Sequence, residues 1–294
     1  MNGTKQKVSP LRTVSNQYSG IRVAIQGIAA SFHEAAAYAH FGGTVETVEC
    51  LTFHRLCESL KNDEAQYGVM AIENSIAGSI LPNYFLLQQY HFSIVGEIYL
   101  PIHLHLMALE GVMLDDIRCI ESHPMAIRQC SDFLQQLGSE VVIRESDDTA
   151  LSARRIKEQN LRDVAAIANE RAAEIFGLQV LEKRIETNKK NFTRFLILTK
   201  TPTSVEGSDK ATLSFEVANH VGSLADVLMA FKEHSINLTK IQSIPILGRP
   251  KEYSIHVDVE WVNRGNYDLA MQHVMRQTRN LSILGQYRKA EIKF

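Results

Sequence analysis

Cysteine is scarce in this chain of 294 residues, with four in all: Cys50, Cys57, Cys119 and Cys130. They are too scattered for a disulfide framework, and no Cys-x-x-Cys pair occurs, which excludes a zinc ribbon and a thioredoxin-like redox motif. Four buried, reduced thiols are expected, as in a cytoplasmic protein. Excess charge of either sign is also missing. The 31 Lys and Arg nearly balance the 33 Asp and Glu, leaving a formal net charge of -2, which argues against a dedicated nucleic-acid binder. No apolar run approaches the ~18 residues of a membrane span. Residues 1–20 are polar and lightly basic, without the apolar core of a signal peptide, and a disordered tail is expected there.

Several chemical signatures are missing as well. There is no Gly-x-Gly-x-x-Gly and no phosphate loop, so no nucleotide cofactor is signalled, and no other cofactor is expected. Gly-x-Ser-x-Gly is absent, so an acyl-transfer nucleophile has no support. The 11 histidines are more interesting. His103 and His105 share a strand face, and His33 and His40 lie seven apart on a helix. Neither pair has a carboxylate or thiol at ligand spacing. They read as ordinary structural histidines, and no metal is expected.

What is present is ordinary globular composition, 45% hydrophobic and 22% charged, in a chain long enough for two domains at ~150 residues each. Short apolar runs alternate with helical patterns from residue 21 onward. Strands are expected at 21–26, 69–72, 92–98, 100–109, 118–121, 141–144 and 165–168. Helices start at Ser31, where Glu34 has capping-box spacing, at Ser122-His123-Pro124, at Asp147-Asp148-Thr149 and at Asn169-Glu170. Such alternation implies mostly parallel sheets covered by helices. The polar stretch 201–210 reads as a linker. Beyond it, strands at 212–218, 237–245, 252–261 and 281–292 and helices at 223–234 and 267–279 follow the β-α-β-β-α-β, ferredoxin-like order.

In open α/β sheets, ligands sit beyond the carboxyl ends of the strands. Glu73-Asn74-Ser75, Ser122-His123, Asp148-Thr149 and Asn169 all occupy such positions. Helix N-termini converging there suit carboxylates. For Ser122 and Asp147 helix capping is the better reading. Glu73 stands out, because a carboxylate directly after an apolar strand is costly to bury without a purpose. The run 182–194, with Lys183, Arg184, Lys189, Lys190 and Arg194, reads as a solvated face or as a rim attracting an anion.

At these residues the chain resembles a known family. GVMAIENSIAGSI (68–80), ESHPMAIRQC (121–130), AAIANERAAEIFGL (165–178) and NFTRFLIL (191–198) occur in the order and spacing of prephenate dehydratases. Residues 211–292 resemble an ACT regulatory domain. The resemblance implies an α/β fold: a catalytic region at 21–200 of two lobes, like a periplasmic binding protein, then a linker at 201–210 and a βαββαβ ACT domain at 211–294. It implies decarboxylating dehydration of prephenate to phenylpyruvate, carbon dioxide and water, in phenylalanine biosynthesis. It also implies modulation by L-phenylalanine and a homodimer or homotetramer. The resemblance places Thr193 at the essential threonine, with Glu73 or a water as its proton relay, and makes Asn74 a further catalytic candidate at a pocket position. Ser75, Ser122, Gln129 and Thr149 match substrate-binding positions. Arg194 is expected either to pair with a substrate carboxylate or to form an ion pair inside the fold. Gly222, Ser223, Leu224, Gln242, Ser243 and Pro245 match the effector-binding turns.

The chain departs from the family pattern in places. The first motif, usually Gly-Pro-x-Gly-Thr-Phe-Ser-Glu, is GIAASFHE (27–34), so Ala30 fills a position where glycine would let backbone approach substrate closely. Asp148 replaces a serine and adds negative charge near an anion site. The effector motif Glu-Ser-Arg-Pro becomes Gln242-Ser243-Ile244-Pro245, so altered affinity or response to phenylalanine is expected. An arogenate dehydratase is the nearest alternative, and a non-catalytic carboxylate sensor is the alternative from another class. A fused helical chorismate mutase domain is not expected.

Overall fold

A computed structural model describes residues 20–203 and 205–292. The expected tail at 1–20 lies outside the described residues except for Gly20. The first lobe is assembled from β1 (Arg22–Gln26), α1 (Phe32–Phe41), β2 (Glu46–Cys50), α2 (Phe53–Lys61), β3 (Tyr67–Asn74), β4 (Gly78–Ser79), α3 (Leu81–Tyr90) and β5 (Ser93–Pro101). The chain then crosses to the second lobe. There it forms β6 (His105–Ala108), β7 (Cys119–Ser122), α4 (Pro124–Gln129), α5 (Ser131–Gln136), β8 (Val142–Glu145), α6 (Thr149–Glu158), β9 (Val164–Ala168), α7 (Glu170–Phe176) and β10 (Gln179–Glu182). It returns as β11 (Phe192–Thr199), which inserts between β3 and β5.

The first sheet runs β2-β1-β3-β11-β5, with β4 beside β3, and the second runs β10-β6-β9-β7-β8. β1, β2 and β3 are parallel, and β11 is antiparallel to both its neighbours. Each lobe keeps its own apolar core, since the runs that form β3, β9 and β11 are buried on both faces. The sequence reading divides β5 from β6 at residue 99, as strands at 92–98 and 100–109, whereas β5 continues through Pro101 and β6 begins at His105. Residues 102–104 between them carry the crossing and belong to neither strand. It also left out β2, α2, α3 and β10.

The C-terminal domain is β12 (Lys210–Glu216), α8 (Ser223–Glu233), β13 (Asn237–Pro245), β14 (Tyr253–Glu260), α9 (Arg264–Gln277) and β15 (Arg279–Tyr287). Its antiparallel sheet has the order β13-β14-β12-β15, and α8 packs beside α9, which is the ferredoxin-like arrangement. The last strand ends at Tyr287 rather than at residue 292. No helix or strand occupies the described residues of 201–209.

This domain docks against the first lobe. Ile244, Leu284 and Tyr287 share an apolar core with Ile94, Leu196, Leu198 and Leu87. At Gly285 the approach is so close that a Cβ would stand 2.0 Å from the Ile94 carbonyl oxygen. Ion pairs fill the rest of the junction. The Arg194 guanidinium bonds Asp258, Glu97 (2.7 Å) and the Tyr287 hydroxyl (3.1 Å). Lys210 pairs with Glu97 at 3.0 Å, and Lys240 pairs with Glu73 at 2.6 Å.

The cysteines are buried and unpaired. Among the described residues no helix is long and apolar enough to cross a membrane.

Candidate active site

A cavity of about 380 Å³ opens between the two lobes. The first lobe lines it with Gln26, Ser31, Phe32, His33, Phe53, Ala71, Asn74, Ala77 and Ile80, together with Thr193 and Phe195 from β11. The second lobe contributes His123, Met125, Ala126, Gln129, Asp147, Asp148 and Thr149. Three helices point their N-termini at this space. Ser31 caps α1 by accepting from the Glu34 N–H, His123 caps α4 through Nδ1, and Asp148 caps α6. Their free N–H groups and dipole ends favour anions. No Lys or Arg lines the cavity among the described residues.

Thr193 and Asn74 face each other across the β3–β11 ladder. The Asn74 side-chain oxygen accepts from the backbone N–H groups of Ile76 (3.0 Å) and Ala77 (2.9 Å). That fixes the amide orientation. Its nitrogen therefore donates, to Asn191 Oδ1 at 2.8 Å and to Thr193 Oγ1 at 3.0 Å. Because Thr193 accepts here, its own hydroxyl proton is free for a group in the cavity.

Strand parity separates Glu73 and Arg194 from this pair. Side chains alternate faces along a strand, so the neighbours of Asn74 and Thr193 point away from the cleft. Glu73 reaches Lys240, and Arg194 reaches Asp258 and Glu97, all on the side of the C-terminal domain. This corrects the assignment of Glu73 as relay for Thr193. It also corrects that of Arg194 as a carboxylate ligand; of the two readings open for Arg194, the internal ion pair is the one observed. Burial opposes the Arg194 charge, yet the anions around it keep the guanidinium firmly protonated. Burial would also raise the Asp258 carboxyl, but Arg194 overrides it and holds that group below its ordinary value.

Two further expected residues stay outside the cavity lining. The Ser122 hydroxyl is fully buried and donates to the Ile167 carbonyl at 2.6 Å, tying β7 to β9. It does not cap α4, a role taken by His123. Ser75 accepts from the Phe192 N–H at 2.9 Å and lies at the surface. Gln129 and Thr149 do line the cavity. Asp148 rather than Asp147 caps α6, with one oxygen accepting from Ala150 (2.8 Å) and Leu151 (3.1 Å). Burial raises its carboxyl above the ordinary range.

Ala30 corrects another expectation. It is buried at φ +68, outside the cavity lining, and its carbonyl accepts from Asn169 across the lobe boundary at 2.6 Å. The position suits glycine for backbone conformation rather than for approach to substrate. Glu34 does not complete a capping box at Ser31. Its carboxylate takes the Ala30 N–H (2.8 Å) and Arg171 of α7 (3.1 Å), a second tie between the lobes.

Sequence reasoning missed His33. It is 8% exposed, lines the cavity and stands edge-on to Phe53 and Phe195. Burial lowers its pKa to about 3. Its place in the first turn of a helix that follows a strand end was the available signal.

A second cavity, about 460 Å³, lies in the C-terminal domain. Ser223, Leu224 and Ser243 line it with Glu216, Asn219, Ile255 and Arg279, while Gly222, Gln242 and Pro245 do not. Gly222 sits at φ +88 as the cap of α8.

The prephenate dehydratase family model matches residues 23–203. Arogenate dehydratase/prephenate dehydratase 2, chloroplastic, of Arabidopsis thaliana is 36% identical over 289 residues, 94% of this chain and 74% of its own length. Among solved structures, GqqA, described as a novel type of quorum quenching acylase, superposes with a TM-score of 0.83 at 27% identity, covering 92% of this chain and 98% of its own. Prephenate dehydratase from Arthrobacter aurescens in complex with L-Phe gives 0.82 at 26% identity, over 91% and 90% of the two chains. With its family-model match and a relative this similar over most of both lengths, the chain belongs to the prephenate dehydratase family.

Proposed function

We propose that the interlobe cleft carries out decarboxylating dehydration of prephenate to phenylpyruvate. The observation that carries this reading is the Asn74–Thr193 hydrogen bond at 3.0 Å, in which the threonine oxygen accepts, so that its own proton is free for a group in the cavity. In the reaction the bond from the ring to its carboxylate breaks and carbon dioxide leaves. The electron pair runs through the cyclohexadiene ring and expels the hydroxyl para to it, which takes up one proton and departs as water. Thr193 donates to that departing oxygen, and aromatisation drives the step. A positioned donor supplies ~10²–10⁴-fold. Orientation between two lobes and fixed helix dipoles supply more. Thr193 is a poor acid alone, and with Glu73 on the far face of β3, a water is the relay we propose. Gln129, Thr149 and the N-termini of α4 and α6 bind the substrate's side-chain carboxylate.

A second reading, arogenate as substrate, is favoured by one observation: Asp147 and Asp148 line the cavity while no Lys or Arg does. Arogenate carries an ammonium where prephenate carries a keto group, so its side chain suits such a lining better. The Arabidopsis relative is named for both activities.

We further propose that the C-terminal domain is an ACT domain that binds L-phenylalanine in its own cavity. The amino acid's carboxylate would lie at the α8 N-terminus. Val221 and Leu247 are fully solvent-exposed beside this cavity, which supports pairing with a second copy in a homodimer or homotetramer. The test is incubation of the purified protein with prephenate and arogenate separately, following phenylpyruvate and phenylalanine, with and without added L-phenylalanine. Turnover of neither substrate would refute the catalytic assignment.

A further inference from the structure

The β1–β3 ladder ends at the Ile25–Val69 pair. Two residues further on, Ala71 takes both its partners from side chains. Its carbonyl accepts from Asn83 at 2.6 Å, and its N–H donates to His33 Nε2 at 3.4 Å. Nε2 is therefore an acceptor, and a neutral imidazole that accepts at Nε2 carries its proton on Nδ1. Among the described residues Nδ1 has no hydrogen-bond partner, yet it is not one of the sealed, unpartnered atoms. An N–H that is nearly buried and unpaired in a cavity lined by Phe32, Phe53 and Phe195 is costly to leave unsatisfied.

The position of the ring indicates what would satisfy it. His33 packs edge-on to Phe195, with ring centroids 5.0 Å apart. Phe195 is two residues from Thr193 on the same face of β11, a step of about 6–7 Å along a strand. That step is comparable to the span of the substrate ring from its hydroxyl to the carboxylate opposite. With the hydroxyl at Thr193, the opposite carboxylate lies toward His33.

We infer that His33 donates from Nδ1 to the ring carboxylate that departs as carbon dioxide. The inference rests on the reaction proposed above. The chemistry at this end requires a donor without charge. Negative charge leaves this carboxylate in the transition state and develops on the departing oxygen. A cation would stabilise the ground state more than the transition state and would slow the step. A neutral N–H orients the group while leaving its charge free to move. The low pKa of His33 keeps the ring uncharged throughout the working range.

Two substitutions separate this role from the ring's support of Ala71. In H33Q the side-chain oxygen reaches the Nε2 position and can still accept from Ala71, but the Nδ1 donor is gone. In H33N the amide nitrogen replaces Nδ1, and the acceptor for Ala71 is lost. Steady-state kinetics with the substrate that the wild type turns over, alongside thermal denaturation of each protein, reads both roles. We expect H33Q to melt near the wild type but to lose about ten-fold in kcat/KM, the value of one neutral hydrogen bond. H33N should melt lower and keep more of kcat/KM than H33Q. Wild-type kcat/KM in H33Q, or a greater kinetic loss in H33N than in H33Q, overturns the inference. If the wild type turns over neither substrate, the proposed reaction itself is wrong, and the role of His33 in it falls with it.

Discussion

Thr193 and Arg194 are consecutive on β11, yet they belong to different functional parts of the molecule. The threonine hydroxyl faces the interlobe cavity, and the Arg194 guanidinium bonds Asp258 of the C-terminal domain from the opposite face. Directly across the ladder, Asn74 and Glu73 repeat the division, with Glu73 held by Lys240. The two domains thus meet on the back of the strands that carry the site. Thr193→Ala should lower kcat by about 10²-fold or more, as for loss of a positioned proton donor, with an unchanged melting temperature. Arg194→Met should leave Asp258 as a buried anion without its ion-pair partner, while Glu97 keeps Lys210, at a cost of about 3–5 kcal/mol. Kinetics and calorimetric melting on both variants distinguish the two outcomes. A Thr193→Ala enzyme with near-wild-type turnover would refute the assignment.

Gly285 sets the docking distance of the C-terminal domain. A methyl group there would meet the Ile94 backbone at 2.0 Å, and backbone cannot swing aside as a flexible side chain can. Gly285→Ala should cost at least about 1–3 kcal/mol, as overpacking does, and should loosen the domain junction. Limited proteolysis within 201–209 should become faster. A variant that melts and resists protease like the wild type would show that the junction is more compliant than its geometry indicates.

Acid should destabilise the fold before the carboxylates titrate. Burial lowers His33 to about 3 and His256 to about 4, against 6.5 when unfolded. Between these values the unfolded chain binds protons that the folded one refuses, so stability falls as pH drops below 6.5 and recovers as pH rises. Each histidine contributes a slope of about 1.4 kcal/mol per pH unit in that window. Melting temperature measured from pH 7 to pH 4.5 should decline, and His256→Gln should flatten the decline. An unchanged slope in that variant would show that His256 is not the group responsible.

The cavity beside α8 should accept L-phenylalanine and reject the D-enantiomer. Leu224→Asp places a charge in its lining and should abolish the binding heat in a calorimetric titration. Binding of L-phenylalanine to that variant with wild-type affinity would move the effector elsewhere.

Much of this architecture was legible in the sequence. The β-α alternation led to sheets covered by helices, and the break at 201–210 to a separate ferredoxin-like domain; the two lobes came from the family resemblance, whose motifs also pointed to Asn74, Gln129, Thr149 and Thr193. Glu73 and Arg194 were misassigned although strand parity was available: two neighbours on one strand cannot both face one cleft. Ser122 was beyond such reasoning, because the Ile167 carbonyl that takes its proton belongs to a strand 45 residues away. The same holds for His33. Its tautomer is set by a backbone N–H whose other partners depend on where β1 stops.

The insertion of β11 also constrains the order in which the protein can be built. The second lobe comes from one uninterrupted stretch, so it can close soon after it leaves the ribosome. The first lobe cannot. Until residue 199 emerges, β3 and β5 face each other across a missing strand, and each presents an unpaired edge. The segment that completes this sheet is also the one that brings Thr193 into place. During synthesis the nascent first lobe is therefore the part most exposed to strand-edge aggregation and most in need of chaperone protection.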